Sequence, residues 1–224
     1  MARMANRPPD VTPEIVQGDL TEDQLQHYLK QKEVAIDTET MGLNPLRDRL
    51  CVVQLCDRAR RAVLVQIPPT PGRLAPLAAA TGAPRLKRLL EEGSIVKILH
   101  FARFDVAAIR HHLGIRMAPI FCTRTASKLV RTYTDRHGLK DVAYELADVE
   151  MDKTSQSTDW SRSDLSPAQL KYATADVTLL HVLMDKLAMM LAREGRSDLA
   201  AECFRTIPLM SELDLMGYDH LFEH

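Results

Sequence analysis

Residues 34 to 43 read VAIDTETMGL: an apolar run, then Asp37 and Glu39 two apart, then a turn at Gly42. Side chains alternate on an extended chain, so these two acids point at one spot. Like charges that close need a cation between them or a shared proton. In a chain with 30 Asp and Glu such a pair alone would be ordinary surface. Its company gives it weight. In HFARFDVAAIRHHLG (100 to 114) Asp105 sits near the start of a helix striped by Val106, Ile109 and Leu113. The helix dipole alone would welcome a carboxylate there. The strand before that helix, however, shares a sheet with Asp37 and Glu39, and ligands gather at the carboxyl ends of such strands. In KYATADVTLLHVL (171 to 183) Tyr172 and Asp176 are four apart on one helical face, flanking the apolar stripe.

Strands and helices must bring these groups together. Segments 33 to 38, 49 to 56 and 61 to 67 (EVAIDT, RLCVVQLC, RAVLVQI) are β-rich, and the last two are joined by Asp57-Arg-Ala-Arg60, so three antiparallel strands are predicted. Thr21-Glu-Asp-Gln24 before Leu25 and Leu29 has the form of a capping box, which places a short helix near 22 to 31. After the insert PPTPGRLAPLAAATGAP the rhythm becomes helix 84 to 92, strand 95 to 99, helix 102 to 113, strand 117 to 121 and helix 123 to 131. That alternation implies parallel crossovers and a mixed sheet covered on both faces. Helix 139 to 147 follows. Ser166-Pro-Ala-Gln169 opens a last long helix, with Leu170, Ala173, Val177, Leu180 and Leu187 as its buried stripe.

A length of 224 residues suits one domain with a real core, and 46% hydrophobic residues is ordinary for a globular chain. No apolar stretch approaches a membrane span, and MARMANRPPD lacks the apolar centre of a signal peptide, so a cytoplasmic protein with no membrane partner is expected. Cys51, Cys56, Cys122 and Cys203 form no C-x-x-C pair and suggest neither zinc nor disulfides. They read as small buried hydrophobes. A net charge of -1 and a pI of about 6.7 argue against a protein that blankets long duplexes with Lys and Arg. A short nucleic acid or a local basic patch remains compatible.

Asp37, Glu39, Asp105 and Asp176, with Tyr172 four before the last, resemble the DEDD exonuclease superfamily in its tyrosine-bearing branch. DKTSQSTDW (152 to 160) looks like the loop before the last motif of ribonuclease D. GLNPLRDRLCVVQL (42 to 55), HFARFD (100 to 105) and FCTRTASKLVRTYTDRHGLK (121 to 140) look more specifically like nanoRNase C, the short ribonuclease D-like oligoribonucleases of some bacteria. The resemblance runs from about residue 15 to 216. It implies an α/β, ribonuclease H-like (DnaQ-like exonuclease) fold, with a mixed central sheet of about five strands and helices on both faces. It divides the chain into a disordered start (1 to 13), an exonuclease domain (14 to 195) and a C-terminal extension (196 to 224).

The resemblance further implies two divalent ions, Mg²⁺ or Mn²⁺, which at a spacing of about 3.5 to 4 Å can offset charge on both the attacking and the leaving oxygen of a phosphodiester. Such hard cations want oxygen ligands, and four carboxylates supply them. On this pattern Asp37 bridges both ions, Glu39 and Asp176 complete one site, and Asp105 helps the other, partly through water. Tyr172, a poor base with an ordinary pKa near 10, orients the attacking water. Leu43, after Thr38, Met41 and the Gly42 turn, resembles the apolar wedge that stacks on a terminal base. His100, Phe101 and Phe104 can shape a base or ribose pocket, although both phenylalanines fit a core equally. Arg131, Arg136, His137 and Lys140 form a basic cluster suited to phosphate. Ser155, Gln156 and Trp160 approach from the loop before the last motif, with Trp160 also fitting a core anchor.

Ribonuclease D proper continues into helical RNA-binding domains, and this sequence does not, so short oligonucleotides are expected in place of long structured RNA. Leu209, Met210, Leu213, Leu215 and Met216 make the tail apolar enough to pack on its own domain or on a neighbour. Proteins resembling nanoRNase C form rings reported as octamers, so a homo-octamer is expected. The reading is a 3′-to-5′ exoribonuclease that releases nucleoside 5′-monophosphates from short single-stranded RNA, dinucleotides above all, with some action on short DNA. Its rivals are a ribonuclease D-like processor of longer RNA and a catalytically silent binding module. A two-carboxylate glycoside hydrolase would leave Tyr172 and two of the Asp residues unexplained.

Overall fold

The computed structural model describes residues 10–69, 82–151 and 158–222. Its centre is a six-stranded mixed sheet. The strands are β1 (Glu14–Gln17), β2 (Glu33–Thr40), β3 (Leu50–Cys56), β4 (Ala62–Gln66), β5 (Val96–Leu99) and β6 (Ile120–Cys122), in the order β1-β4-β3-β2-β5-β6. Strands β2, β3 and β4 form the expected antiparallel meander, while β5 and β6 continue parallel from β2.

Eight helices cover the sheet among the described residues: α1 (Glu22–Tyr28), α2 (Pro84–Leu90), α3 (Ala102–Leu113), α4 (Thr123–Val130), α5 (Leu139–Ala147), α6 (Pro167–Thr178), α7 (Leu180–Arg193) and α8 (Ser197–Leu215). Strand β3 is buried along its whole length, as a strand covered on both faces must be. Alternation sorts the side chains. Val34, Ile36, Val53, Leu55, Val63 and Val65 enter one core with Leu25, Leu86, Val106, Ile109 and Ile207. Ala35, Cys56 and Ile98 face the other way, onto Val177 and Leu180. Cys51, Val52 and Leu64 meet Trp160 and Ala173 on that second face.

The structure departs from the sequence reading in particular places. The sheet has six strands, not about five, because β1 adds in parallel to β4. Strand β6 starts at Ile120, not residue 117, since Pro119 just before it has no N–H to give a ladder. The last long helix is two, α6 and α7, separated at Leu179. Both capping boxes form, Thr21 with Gln24 and Ser166 with Gln169. Cys51, Cys56 and Cys122 are buried free thiols, whereas Cys203 is half-buried. No helix among the described residues is long and apolar enough to cross a membrane.

Helix α8, within the segment read as an extension, packs along α3. Ile207 enters the main core. Arg103 Nε donates to Asp214 at 2.6 Å, Arg110 pairs with Glu212, and Ser211 Oγ donates to the Arg103 carbonyl at 2.8 Å. Leu209 and Met216 remain exposed, as do Tyr218, Leu221 and Phe222 beyond the helix.

Candidate active site

Strand β2 carries Asp37 and Glu39 toward its carboxyl end, both on the face covered by α6 and α7. Helix α6 is started by the Ser166 cap and Pro167, and its i,i+4 pair Tyr172 and Asp176 comes down onto those acids. One carboxylate oxygen each from Asp37, Glu39 and Asp176 lie within 4.8 Å of one another. Asp105 arrives from α3, on the opposite face of the sheet. It is held there by Thr38, which points away from Asp37 and Glu39 and donates its hydroxyl to Asp105 Oδ1 at 2.6 Å. The four acids therefore straddle the end of β2, three on one side and one on the other.

Loss of hydration, then the charges of Asp105, Asp176 and Glu39, hold Asp37 well above the ordinary carboxylate range. Burial and the facing Asp176 and Asp105 push Glu39 up to about 9. Burial raises Asp105 to about 7, even though the Thr38 bond works to lower it. Tyr172 is also pushed up, by burial and by Asp176, to which its hydroxyl bonds, and Glu39. Such a set accepts positive charge. Its donors are all hard oxygens, the chemistry that suits Mg²⁺ or Mn²⁺, and mutual repulsion gives the array a reason to bind them. The residues present fit divalent ions.

The 3′-5′ exonuclease family matches this chain over residues 14–192, the span holding all four acids and Tyr172. The chain belongs to that family. It is similar to ribonuclease D of Jannaschia sp. strain CCS1, 35% identical over 79% of this chain. That alignment takes in 45% of the relative, so the chain spans less than half the length of the curated relative it matches. Among solved structures it is similar to Brucella melitensis NrnC, at 47% identity and a TM-score of 0.86, covering 96% of this chain and 100% of that one. NrnC is also seen bound to pGG and, separately, with bound Mg²⁺. Escherichia coli RNase D, 22% identical with a TM-score of 0.74, shares the fold. The exonuclease is thus ribonuclease D- and NrnC-like.

Around the acids of this exonuclease, the other residues expected at the site fall into three groups. Exposed at the rim are Leu43, 87% accessible, and Met41. Their loop is braced from within: Asp48 accepts from the Asn44 N–H at 2.9 Å and from Arg47 Nε at 2.7 Å. A Cβ at Gly42 would stand 2.7 Å from Asp48 Cγ, so the bracing carboxylate would have to move. Phe101 is half-exposed, left-handed at φ 65°, with the Arg124 guanidinium 4.3 Å above its ring. Phe104 is half-buried. His100 extends β5 beside β2. Since the Thr123 hydroxyl donates to the Leu99 carbonyl at 3.1 Å, it accepts from His100 Nδ1–H at 2.9 Å.

The second group lies on the loop after α4 and in the first turn of α5. Arg136 and Lys140 are exposed, and His137 Nδ1 sits 2.9 Å from Ser127 Oγ. The third group is corrected by the structure. Arg131 is 1% exposed and holds the loop from inside, bonding Glu145, Ser127 Oγ and the Arg136 carbonyl, so it has no free edge for phosphate. Thr38 gives its hydroxyl proton to Asp105. Trp160 is 2% exposed and anchors the loop in the core, its ring 6.1 Å from Tyr172. Ser155 and Gln156 lie outside the described residues. The sequence reading missed Gln54 and Thr123. Gln54 had a signal, an amide within the otherwise apolar run LCVVQLC.

Proposed function

We propose that this exonuclease uses two divalent ions, Mg²⁺ or Mn²⁺, to hydrolyse short RNA from the 3′ end to nucleoside 5′-monophosphates, with dinucleotides preferred and short single-stranded DNA also accepted. The observation that carries the reading is the array of Asp37, Glu39, Asp105 and Asp176 with Tyr172 bonded to Asp176. On this reading Asp37 would hold both ions, Glu39 and Asp176 would complete one site, and Asp105 would serve the other. When bound, the ions would supply charge compensation for the attacking and leaving oxygens and a more acidic water. Tyr172 keeps its proton, because its pKa is displaced upward, donates it in a hydrogen bond to Asp176, and would orient the attacking water by accepting from it. Leu43 is the apolar wedge for the terminal base. His100, Phe101 and Phe104 border the nucleotide, and Arg136, His137 and Lys140 attract phosphate.

The short-substrate preference draws support from the whole-chain likeness to Brucella NrnC, which is seen with pGG, against the partial coverage of ribonuclease D. The outward side chains of α8 and the following turn, Leu209, Met216, Tyr218, Leu221 and Phe222, would meet copies of the same chain in an octameric ring working in the cytoplasm. The test is a time course on 5′-labelled RNAs of two to about twenty nucleotides with Mg²⁺ or Mn²⁺. Fast metal-dependent cleavage of the dinucleotide, slower on longer chains, is expected. Stepwise trimming of the longest RNA that stalls at short products would favour a ribonuclease D-like processor, and no cleavage would leave a binding module.

A further inference from the structure

Gln54 lies at the centre of β3, is 0% exposed, and pairs directly with Asp37 across the antiparallel ladder. Directly paired residues project to the same side, so its amide stands on the face that carries Asp37, Glu39 and Asp176. Its Nε2 donates to Glu39 Oε1 over a long 3.4 Å. The amide oxygen, Oε1, then has no hydrogen-bond partner among the described residues.

That orphan calls for an account. A buried amide oxygen left without a donor costs about 1 to 3 kcal/mol, and an apolar side chain of the same size would avoid the loss. Val52 and Cys56, its neighbours on that face of the strand, and Leu64, paired with it on β4, are apolar, so an apolar residue would fit there. An acceptor beside a carboxylate array is useful if a donor arrives with the array's ligand. Divalent ions of the Mg²⁺ kind keep several of their waters, and such waters are strong donors.

We infer that Gln54 is a positioning residue of the metal centre, holding Glu39 through its amide N–H and accepting a hydrogen bond from an ion's water through Oε1. The inference rests on the two-ion reading of the acid array. Partners of this outer kind orient the ligating groups, and their loss weakens metal affinity by about 10- to 100-fold. The geometry also separates Gln54 from Thr38. Thr38 already has its acceptor in Asp105 without any ion, whereas Gln54 is completed by one.

The experiment is calorimetric titration of Mg²⁺ and Mn²⁺ into the metal-free protein, without substrate, for the wild type and Gln54→Met, with the melting temperature of each metal-free form. Gln54→Leu, of nearly the same volume, serves if the methionine variant does not fold. The expected result is binding weakened about 10- to 100-fold, with a metal-free melting temperature equal to or above that of the wild type. Affinity within twofold of the wild type would overturn the inference while leaving the two-ion reading standing. A wild type that takes up no divalent ion would overturn both.

Discussion

Strand β5 joins two opposite treatments of buried charge. At one end Lys97 is 0% exposed, and its ammonium donates to the carbonyls of Glu92 at 2.7 Å, Ile95 at 2.8 Å and Ala118 at 2.5 Å. All three of its protons are used. Beyond the other end, beside His100, stand Asp37 and Glu39, whose strongest neighbours are further acids. A buried charge with a full set of protein partners ties the chain together. A buried set whose members repel one another is completed only by something from outside, and that contrast separates scaffold from site within a single sheet.

The sharpest way to break the contrast is to remove one acid. Asp176→Asn should cut turnover by about 10³-fold or more. The same change relieves repulsion on Asp37 and Glu39, so the metal-free melting temperature should rise; unchanged turnover would detach the acids from the chemistry. Lys97→Met should do the reverse, stranding three carbonyls at a cost of about 3 kcal/mol, or roughly 6 to 12 °C of melting temperature. Calorimetry of that variant should show metal affinity intact. Tyr172→Phe should lower kcat by about 10- to 100-fold with little change in substrate affinity, read in single turnovers. A pure affinity loss would instead make the tyrosine a substrate contact.

The smallest effect is the pH dependence, whose sign differs between the two regions. The folded protein holds protons on Glu39 up to about 9 and on Asp105 up to about 7, where an unfolded chain has already released them. Metal-free stability should therefore be full below the ordinary carboxylate pKa and fall as the pH rises through 7 and 9. Lys97, lowered by burial to about 8, sheds its proton earlier than an unfolded lysine, so its contribution is present above 10.5 and is lost as the pH falls through 8. Thermal melts from pH 5 to 10.5 should show the first slope flattened in Asp176→Asn and the second absent in Lys97→Met.

Much of this was legible in residue order. The period-two pairing of Asp37 with Glu39, the i,i+4 pairing of Tyr172 with Asp176 and the capping boxes are local rules, and the fold respects them. What escaped depends on distant partners. Strand β1 is four mostly exposed residues, EIVQ, with no apolar run to announce it, and it exists by bonding to β4. The division at Leu179 has no Gly or Pro, and the apolar stripe runs through it. Arg131 and Arg136 look alike in the sequence, yet one is buried because Glu145 and Ser127 fold onto it. Whether a tyrosine or phenylalanine near the site faces solvent is likewise settled by what packs behind it.

The bracing of α3 by α8 sets an order of events during synthesis. Asp105 rides on α3, and the side chains that clamp this helix, Glu212 and Asp214, lie 102 and 111 residues downstream of Arg110 and Arg103. A ribosome will have released the acids of β2 and α3 long before α8 emerges to hold them. Contacts so far apart in the chain close late. Asp176, the last acid of the array, also precedes α8 in the chain, so the helix that braces α3 is made after every acid of the site.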